Sequence, residues 1–201
     1  TEPVEGLNGR SSYWPRGKVL GGSSSINAMV YIRGQQQDFN EWEALGNVGW
    51  GWDSVFEYFK KSETNSNGVN NWRGGDGPLH VCDVSKDLHP LCQNFITAGE
   101  ECGLAFNPDF NGEKQDGVGY YQNTLKNGIR MSSARAYLWP ARKRSNVTVI
   151  KHALATRILF KNKTAIGIEY RQRGKTTRVL ASKEVILSSG SINTPQLLNL
   201  S

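Results

Sequence analysis

The chain has 201 residues, of which 37% are hydrophobic and 21% charged, a globular composition that excludes a disordered or fibrous protein. No apolar run approaches the roughly 20 residues that a membrane-spanning helix needs, so we expect no membrane span. The net charge of +6 comes from Lys and Arg side chains spread over predicted turns and alternating strand positions, a pattern typical of solvated surface rather than of a nucleic-acid site.

Three segments differ in composition. Residues 1–34 are rich in Gly and Ser, residues 35–145 combine loops with short helical patterns, and residues 146–201 alternate polar with β-branched residues. Helical periodicity followed by strand alternation predicts a mixed α/β or α+β chain that ends in a β-meander.

The segment with the clearest chemical character is 17–27. Its adjacent Gly21 and Gly22 permit close backbone approach to a planar or phosphorylated ligand, and its serines and Asn27 can satisfy phosphate or ring heteroatoms. It is not a Walker motif, because Lys18 precedes the glycine pair. The same composition also suits a Gly/Ser turn that leads into a buried helix over residues 26–31.

Three helices are predicted in the middle of the chain. The first follows Trp52, with Asp53 or Ser54 as its N-cap. The second covers Leu91 to Cys102, and the third runs from near Ser132 until a proline, Pro140, ends it.

The last segment predicts strands followed by a helix. The helix has Asn193 or Thr194 as its N-cap and Pro195 in its first turn. A strand, a Ser/Gly turn and a helix N-terminus together suit an anionic ligand. The predicted strands cover residues 147–150, 154–160, 165–170, 177–181 and 184–187.

The cysteines and histidines point to structural roles. No C-x-x-C pair is present, so we expect neither a disulfide framework nor a zinc site, and we expect the cysteines to be small buried hydrophobes. None of the histidines lies in a catalytic motif, so we expect surface or structural positions for them. The residues are Cys82, Cys92, Cys102, His80, His89 and His152.

Two spaced motifs resemble the signatures of the glucose–methanol–choline (GMC) oxidoreductases, and the resemblance covers essentially the whole chain. The residues between the motifs resemble the family around Gly49–Asp53 and Asn127–Leu138. The sequence of Tyr13–Lys18 is most similar to that of the insect glucose-dehydrogenase-like branch. The first motif reads Gly17-Lys18-x-Leu20-Gly21-Gly22-Ser23-Ser24-x-Ile26-Asn27-x-x-x-Tyr31-x-x-Gly34, and the second reads Gly190-Ser191-x-x-Thr194-Pro195-x-Leu197-Leu198-x-x-Ser201.

The resemblance implies an FAD-dependent oxidoreductase that acts on the CH–OH group of a small alcohol or sugar, with an electron acceptor that the sequence does not name. The flavin takes a hydride while a protein base takes the hydroxyl proton. The implied organisation is an FAD-binding segment over residues 1–34, a mixed FAD-binding and substrate region over 35–145, and a return to a partial Rossmann-like FAD-binding domain over 146–201. The implied cofactor-binding residues are Val19, Gly21, Gly22, Ser23, Asn27, Ala28, Met29, Val30, Ala155 and Gly190.

The chain also departs from the family pattern. A G-x-G-x-x-G fingerprint and the catalytic histidine are absent from residues 1–201, so we expect an internal fragment of about a third of a family-sized protein, with no catalytic residue in this part. The first motif holds no histidine, so we expect FAD to bind non-covalently. A flavin-bearing lyase and a catalytically inactive binding protein of the same fold remain alternatives. The resemblance is compatible with an extracellular location.

Overall fold

The computed structural model describes residues 1–201, which form two compact units, Thr1–Arg144 and Ser145–Ser201. The helices are α1 (Gln36–Ala44), α2 (Trp52–Ser62), α3 (Leu91–Glu101), α4 (Trp139–Ala141) and α5 (Gly190–Asn199). The strands are β1 (Val30–Tyr31), β2 (Glu63–Asn65), β3 (Leu79–Val81), β4 (Gln122–Asn123), β5 (Leu125–Lys126), β6 (Ile129–Arg130), β7 (Ala153–Lys161), β8 (Thr164–Gln172) and β9 (Lys175–Leu180).

Three two-stranded pairings organise the first unit. Strands β1 and β4 pair antiparallel, β2 and β3 pair parallel, and β5 and β6 pair antiparallel. An aromatic cluster joins α1 to α2, since the ring of Phe39 lies 5.8 Å from that of Trp52 and 5.6 Å from that of Phe59. The β1–β4 pairing places Val30 opposite Asn123 and so brings a distant part of the chain next to the end of the segment that follows Gly17.

Helix α2 begins earlier than predicted. Gly51, rather than Asp53 or Ser54, is its N-cap, with extended backbone angles. The reason is tertiary, because the Trp52 backbone N–H donates to Asn40 Oδ1 of α1 at 3.0 Å. A side chain from the neighbouring helix thus satisfies an N-terminal N–H group that the sequence motif assigns to a local cap.

The predicted helix near residue 132 is formed, but Pro140 does not end it. One π-helical stretch, Ala134–Leu138, continues directly into α4. Pro140 lies inside this continuous helical stretch, where it has no N–H to donate to the preceding turn. Ala134 and Ala136 are buried, so this helix packs its small side chains inward. By contrast, α3 spans the predicted residues and Gly103 stops it with φ +88°.

The second unit is a β-meander, in which β7 pairs with β8 and β8 with β9, all antiparallel. The β8–β9 turn places Arg173 and Gly174 at positive φ, as a tight hairpin requires. The predicted strands over 154–181 are therefore confirmed. The predicted strands 147–150 and 184–187 are not formed, because no strand of residues 1–201 lies beside either of them to complete a ladder.

Helix α5 begins at Gly190 with Ser189 as its N-cap, so neither Asn193 nor Thr194 caps it. Pro195 consequently lies inside the helix rather than in its first turn. Leu197 is buried, and the Ile158 backbone N–H donates to Ser201 Oγ at 2.8 Å, which ties the end of α5 to β7.

Replacing Gly167 by Ala should destabilise the meander. Gly167 is buried in the central strand β8, where an added Cβ would collide with the Val179 carbonyl oxygen of β9. Because that obstacle is backbone, we expect a loss of about 1–3 kcal/mol in the free energy of unfolding, measured by denaturant unfolding of the full-length protein. Gly6→Ala is the matched control, since a Cβ there meets nothing within 4 Å. Equal stability of the two variants would contradict this packing.

Candidate functional site

The glycine-rich segment folds back on itself. An added Cβ at Gly17 would collide with the Gly22 carbonyl oxygen, and the Gly17 N–H donates to Ser23 Oγ at 3.3 Å. Gly21 and Gly22 have φ values of +94° and +53°, a region that favours glycine. They lead into a 3₁₀ turn, Gly22–Ser25. The buried helix over residues 26–31 is therefore wrong, because Val30–Tyr31 forms β1.

Most of the predicted cofactor-binding residues in this segment face outward. Val19 is 57% exposed and Val30 is 43% exposed. A Cβ placed on Gly22 would meet no atom of the chain within 4 Å, so the space over its backbone is open to a ligand. Exposed side chains belong to Val19, Ser23, Asn27, Ala28 and Val30, whereas Gly21, Gly22 and Met29 are half-buried. These eight residues lie in one short segment, which ends where β1 begins at Val30.

Two residues outside the segment hold this loop in place. Arg130 Nη1 donates to the Asn27 carbonyl oxygen and to Asn27 Oδ1, both at 2.7 Å, and to the Ser24 carbonyl oxygen at 3.3 Å. The Ser133 backbone N–H donates to Ser24 Oγ at 2.9 Å, and Ser133 Oγ donates to the Gly21 carbonyl oxygen at 3.2 Å. Sequence reasoning assigned no role to Arg130 or Ser133, although both lie in the family-like stretch 127–138.

The backbone just after Asn27 is unusual. Met29 has φ +64°, in the left-handed region that few non-glycine residues adopt. Its N–H donates to Asn27 Oδ1 at 3.1 Å, and its carbonyl oxygen accepts from the Thr124 N–H at 2.8 Å. These bonds stabilise a conformation that costs about 1 kcal/mol or more on its own.

A buried charged network lies directly behind this loop. Glu63 has no exposed surface, and its carboxylate pairs with the Arg33 guanidinium. Glu63 Oε2 accepts from the Tyr31 hydroxyl at 3.0 Å, and Glu63 Oε1 accepts from Asn65 Nδ2 at 2.6 Å. Asn65 Nδ2 also donates to Gln122 Oε1 at 3.0 Å. The network therefore ties β1 to β2 and β4 immediately after the predicted cofactor-binding residues.

Burial raises the pKa of the Tyr31 hydroxyl to about 12, and the Glu63 carboxylate adds to this effect while Arg33 opposes it. The phenol is therefore held neutral and serves as a hydrogen-bond donor to Glu63. Tyr31 therefore helps to hold β1, the strand that follows the loop, and does not act as an exposed acid.

An apolar cavity of about 370 Å³ lies beside β1 in the same unit. Val30, the last of the predicted cofactor-binding residues in the loop, contributes to its wall. The rest of the lining includes Val84, Leu88, Phe95, Ile96 and Tyr121. The outer face of the loop thus continues into a hydrophobic surface.

The other two predicted cofactor-binding residues belong to the second unit. Ala155 is an exposed residue of β7 paired with Tyr170, and Gly190 begins α5 with φ +86°. Their role toward a cofactor stays a prediction.

None of the histidines lies in residues 17–30, since His80 lies in β3, His89 precedes α3 and His152 precedes β7. His80 Nε2 lies 2.8 Å from Lys126 Nζ, and its pKa is lowered by desolvation and by that charge. His89 Nδ1 accepts from the Leu91 N–H at 3.2 Å at the start of α3, and His152 occupies a turn with φ +55°.

The cysteines are not the buried side chains that the sequence predicted. Cys82 and Cys92 are half-buried, and Cys102 is exposed at the C-cap of α3, where the helix leaves the core. All three thiols are free, and no group of metal-ligating side chains is found in the chain.

Residues 4–201 match the GMC oxidoreductase family. The chain belongs to this family. It is 52% identical to the alcohol dehydrogenase [acceptor] of Pseudomonas putida over 204 residues and 47% identical to the mitochondrial choline dehydrogenase of Mus musculus over 201 residues. Each alignment covers 100% of this chain but only 37% and 34% of the relative, so the chain spans about a third of their length.

Solved structures of family members share this fold. An FAD-dependent oxidoreductase from Chaetomium thermophilum superposes with a TM-score of 0.91 at 34% identity, over 100% of this chain and 37% of its own. A pyridoxine 4-oxidase from Mesorbium loti gives 0.89 at 32% identity, over 98% and 39%. The predicted mixed α/β class is confirmed by these matches, and no helix of this GMC chain has the length and apolar character to cross a membrane.

Replacing Tyr31 by Phe should remove a phenol that titrates near pH 12. A pKa raised from 10.0 to about 12 in the folded protein means that folding favours the protonated phenol. This contribution of about 2–3 kcal/mol is present below pH 10 and is lost as the pH rises toward 12. Near-ultraviolet absorbance of phenolate, taken as wild type minus Tyr31→Phe, should titrate with a midpoint near 12. A midpoint at the ordinary value of 10 would place Tyr31 in solvent.

Proposed function

We propose that this protein is an FAD-dependent oxidoreductase that acts on the CH–OH group of a small alcohol, and that residues 17–30 form part of its cofactor site. The observation that carries the proposal is the shape of the loop in a chain of this family. A glycine turn leaves the space over Gly22 free of chain atoms, and Ser23, Asn27, Ala28 and Val30 of the same segment are exposed.

The residues of the loop fit a flavin dinucleotide chemically. Ser23 and Asn27 offer a hydroxyl and an amide, which can pair with phosphate or ring heteroatoms. Ala28 and Val30 offer small apolar contacts for a planar ring system. Gly22 permits close backbone approach of a ligand, whereas the missing side chain of Gly21 makes room for Ser25 Oγ and Ala134 in the turn itself.

When bound, FAD supplies the acceptor for the hydride that leaves the carbinol carbon. The contribution of residues 1–201 is to bind and orient this cofactor. Residues 17–30 contain no histidine that could form a covalent link to the flavin. This supports non-covalent binding of FAD. We assign the base that takes the hydroxyl proton to a part of the protein outside residues 1–201, since none of the three histidines lies in the loop.

The substrate class follows from two lines of support. The alcohol and choline dehydrogenases described above are relatives with the same loop segment aligned in full, which supports a small primary alcohol. The residues Tyr13–Lys18 support the narrower proposal of an insect glucose-dehydrogenase-like branch, for which a sugar would be the substrate.

The full-length protein tests both proposals. It should purify with bound flavin, and anaerobic addition of a substrate should bleach the flavin absorbance. The panel is choline, a series of primary alcohols and glucose. Bleaching by choline or an alcohol supports the broader proposal, whereas bleaching by glucose alone supports the narrower one. Bound flavin that no member of the panel reduces would favour a lyase or an inactive relative.

Gly22→Val should abolish flavin retention in the full-length protein. A Cβ at Gly22 meets no atom of the chain within 4 Å, so the substitution should act by obstructing a ligand and by the strain of a β-branched residue at positive φ. Gly9→Val is the matched control, because Gly9 also has positive φ and open space around a Cβ. Both variants should lose about 1–3 kcal/mol of stability.

The measurement is the ratio of flavin to protein absorbance after purification. We expect a normal ratio for Gly9→Val and a strongly reduced ratio for Gly22→Val. A normal ratio in a folded Gly22→Val protein would remove this loop from the cofactor site.

A further inference from the structure

The Arg130 side chain, at the end of β6, crosses to a loop that lies about a hundred residues earlier in the sequence. We propose that Arg130 is a positioning residue, which acts on the cofactor through Asn27. This inference rests on the proposed function, because it concerns how that cofactor site is shaped.

The first observation is the orientation of the Asn27 amide. Asn27 Oδ1 accepts from Arg130 Nη1 at 2.7 Å and from the Met29 N–H at 3.1 Å. Both neighbours are donors, so only the oxygen of the amide can face them. Nδ2 is consequently the one polar atom of this side chain without a partner, and the exposed amide is fixed as a hydrogen-bond donor toward a ligand.

The second observation is that the same guanidinium holds the backbone of the loop. Arg130 Nη1 also donates to the carbonyl oxygen of Asn27, and more weakly to that of Ser24. These carbonyls flank the turn that precedes Met29, whose positive φ depends on its bond to Asn27 Oδ1. Arg130 therefore fixes the side chain and the main chain of Asn27 with one nitrogen.

The third observation concerns charge. None of the four ion pairs in the structure includes Arg130. Hydrogen bonds from a cationic guanidinium to neutral carbonyls are stronger than those from a neutral donor. No carboxylate competes for Nη1, so this nitrogen donates to acceptors of the loop. A planar fork, unlike the ammonium of lysine, also holds its acceptors in a fixed geometry.

A double-mutant cycle on FAD affinity tests the inference in the full-length protein. The variants are Arg130→Met, Asn27→Ala and the two combined, with Arg142→Met as the control for losing an exposed arginine. Each protein is stripped of flavin, its fold is checked by circular dichroism, and its dissociation constant for FAD is measured by flavin fluorescence quenching. If Arg130→Met does not fold, Arg130→Lys takes its place in the cycle.

Each single variant should weaken FAD binding by about 10–100-fold, whereas Arg142→Met should change it less than about twofold. Because part of the effect of Arg130 passes through the Asn27 amide, the double variant should bind FAD more tightly than the product of the two single losses predicts. The inference is overturned if Arg130→Met binds FAD as the wild type does, or if the two losses multiply. Failure of the wild-type protein to bind FAD would instead contradict the proposed function.

Discussion

The carboxylate of Glu63 has no exposed surface, and an unpaired charge in such a position would cost several kcal/mol. The structure offsets that cost with three donors from three parts of the chain: the Arg33 guanidinium, the Tyr31 hydroxyl and the Asn65 amide. Loss of Arg33 would leave the charge unpaired, and loss of Tyr31 or Asn65 would take one hydrogen-bond donor from the buried carboxylate. Strand β1, which follows the glycine-rich loop, is therefore held in place by this network. The direction in which the chain leaves the loop is fixed as a result.

The near end of the loop is fixed differently, by contacts that only glycine allows. Gly17 lies against the carbonyl group of Gly22, so the chain reverses within six residues. Ser133 then binds the turn from the outside, and Arg130 binds it at Asn27. A rigid frame of this kind suits a cofactor site, because groups that are already ordered lose little entropy when a ligand binds. The uncovered backbone at Gly22 is left open inside an otherwise constrained segment.

The sequence alone predicted the parts of this arrangement that depend on local chemistry. The turn residues Arg173 and Gly174 bracket strands that alternate clearly, and the meander formed as expected. The glycine–serine motif identified the loop through its resemblance to a family. The sequence alone could not predict that Asn40 Oδ1 would accept from the Trp52 N–H at the start of α2, because that bond joins two helices. Nor could it assign Arg130, since its partners are neutral carbonyls whose positions depend on the folded turn. Residues 147–150 and 184–187 have a composition that favours strands. A strand also needs a neighbouring strand to pair with, and composition alone does not supply one.

The hydrogen bonds of the loop also imply an order of folding. The β7–β8 hairpin closes across two residues, Asn162 and Lys163, so its ladder can form from local contacts with little loss of chain entropy. Arg130 and Asn27, in contrast, are 103 residues apart, and Ser133 and Ser24 are 109 apart. Closing a segment of that length is slow compared with forming a hairpin. The bonds that fix the ligand-facing turn therefore need β5 and β6 to bring in Arg130, whereas the β7–β8 ladder joins residues that are close in sequence. On a ribosome, where residue 27 emerges long before residue 130, this loop stays unanchored through most of the synthesis of the first unit.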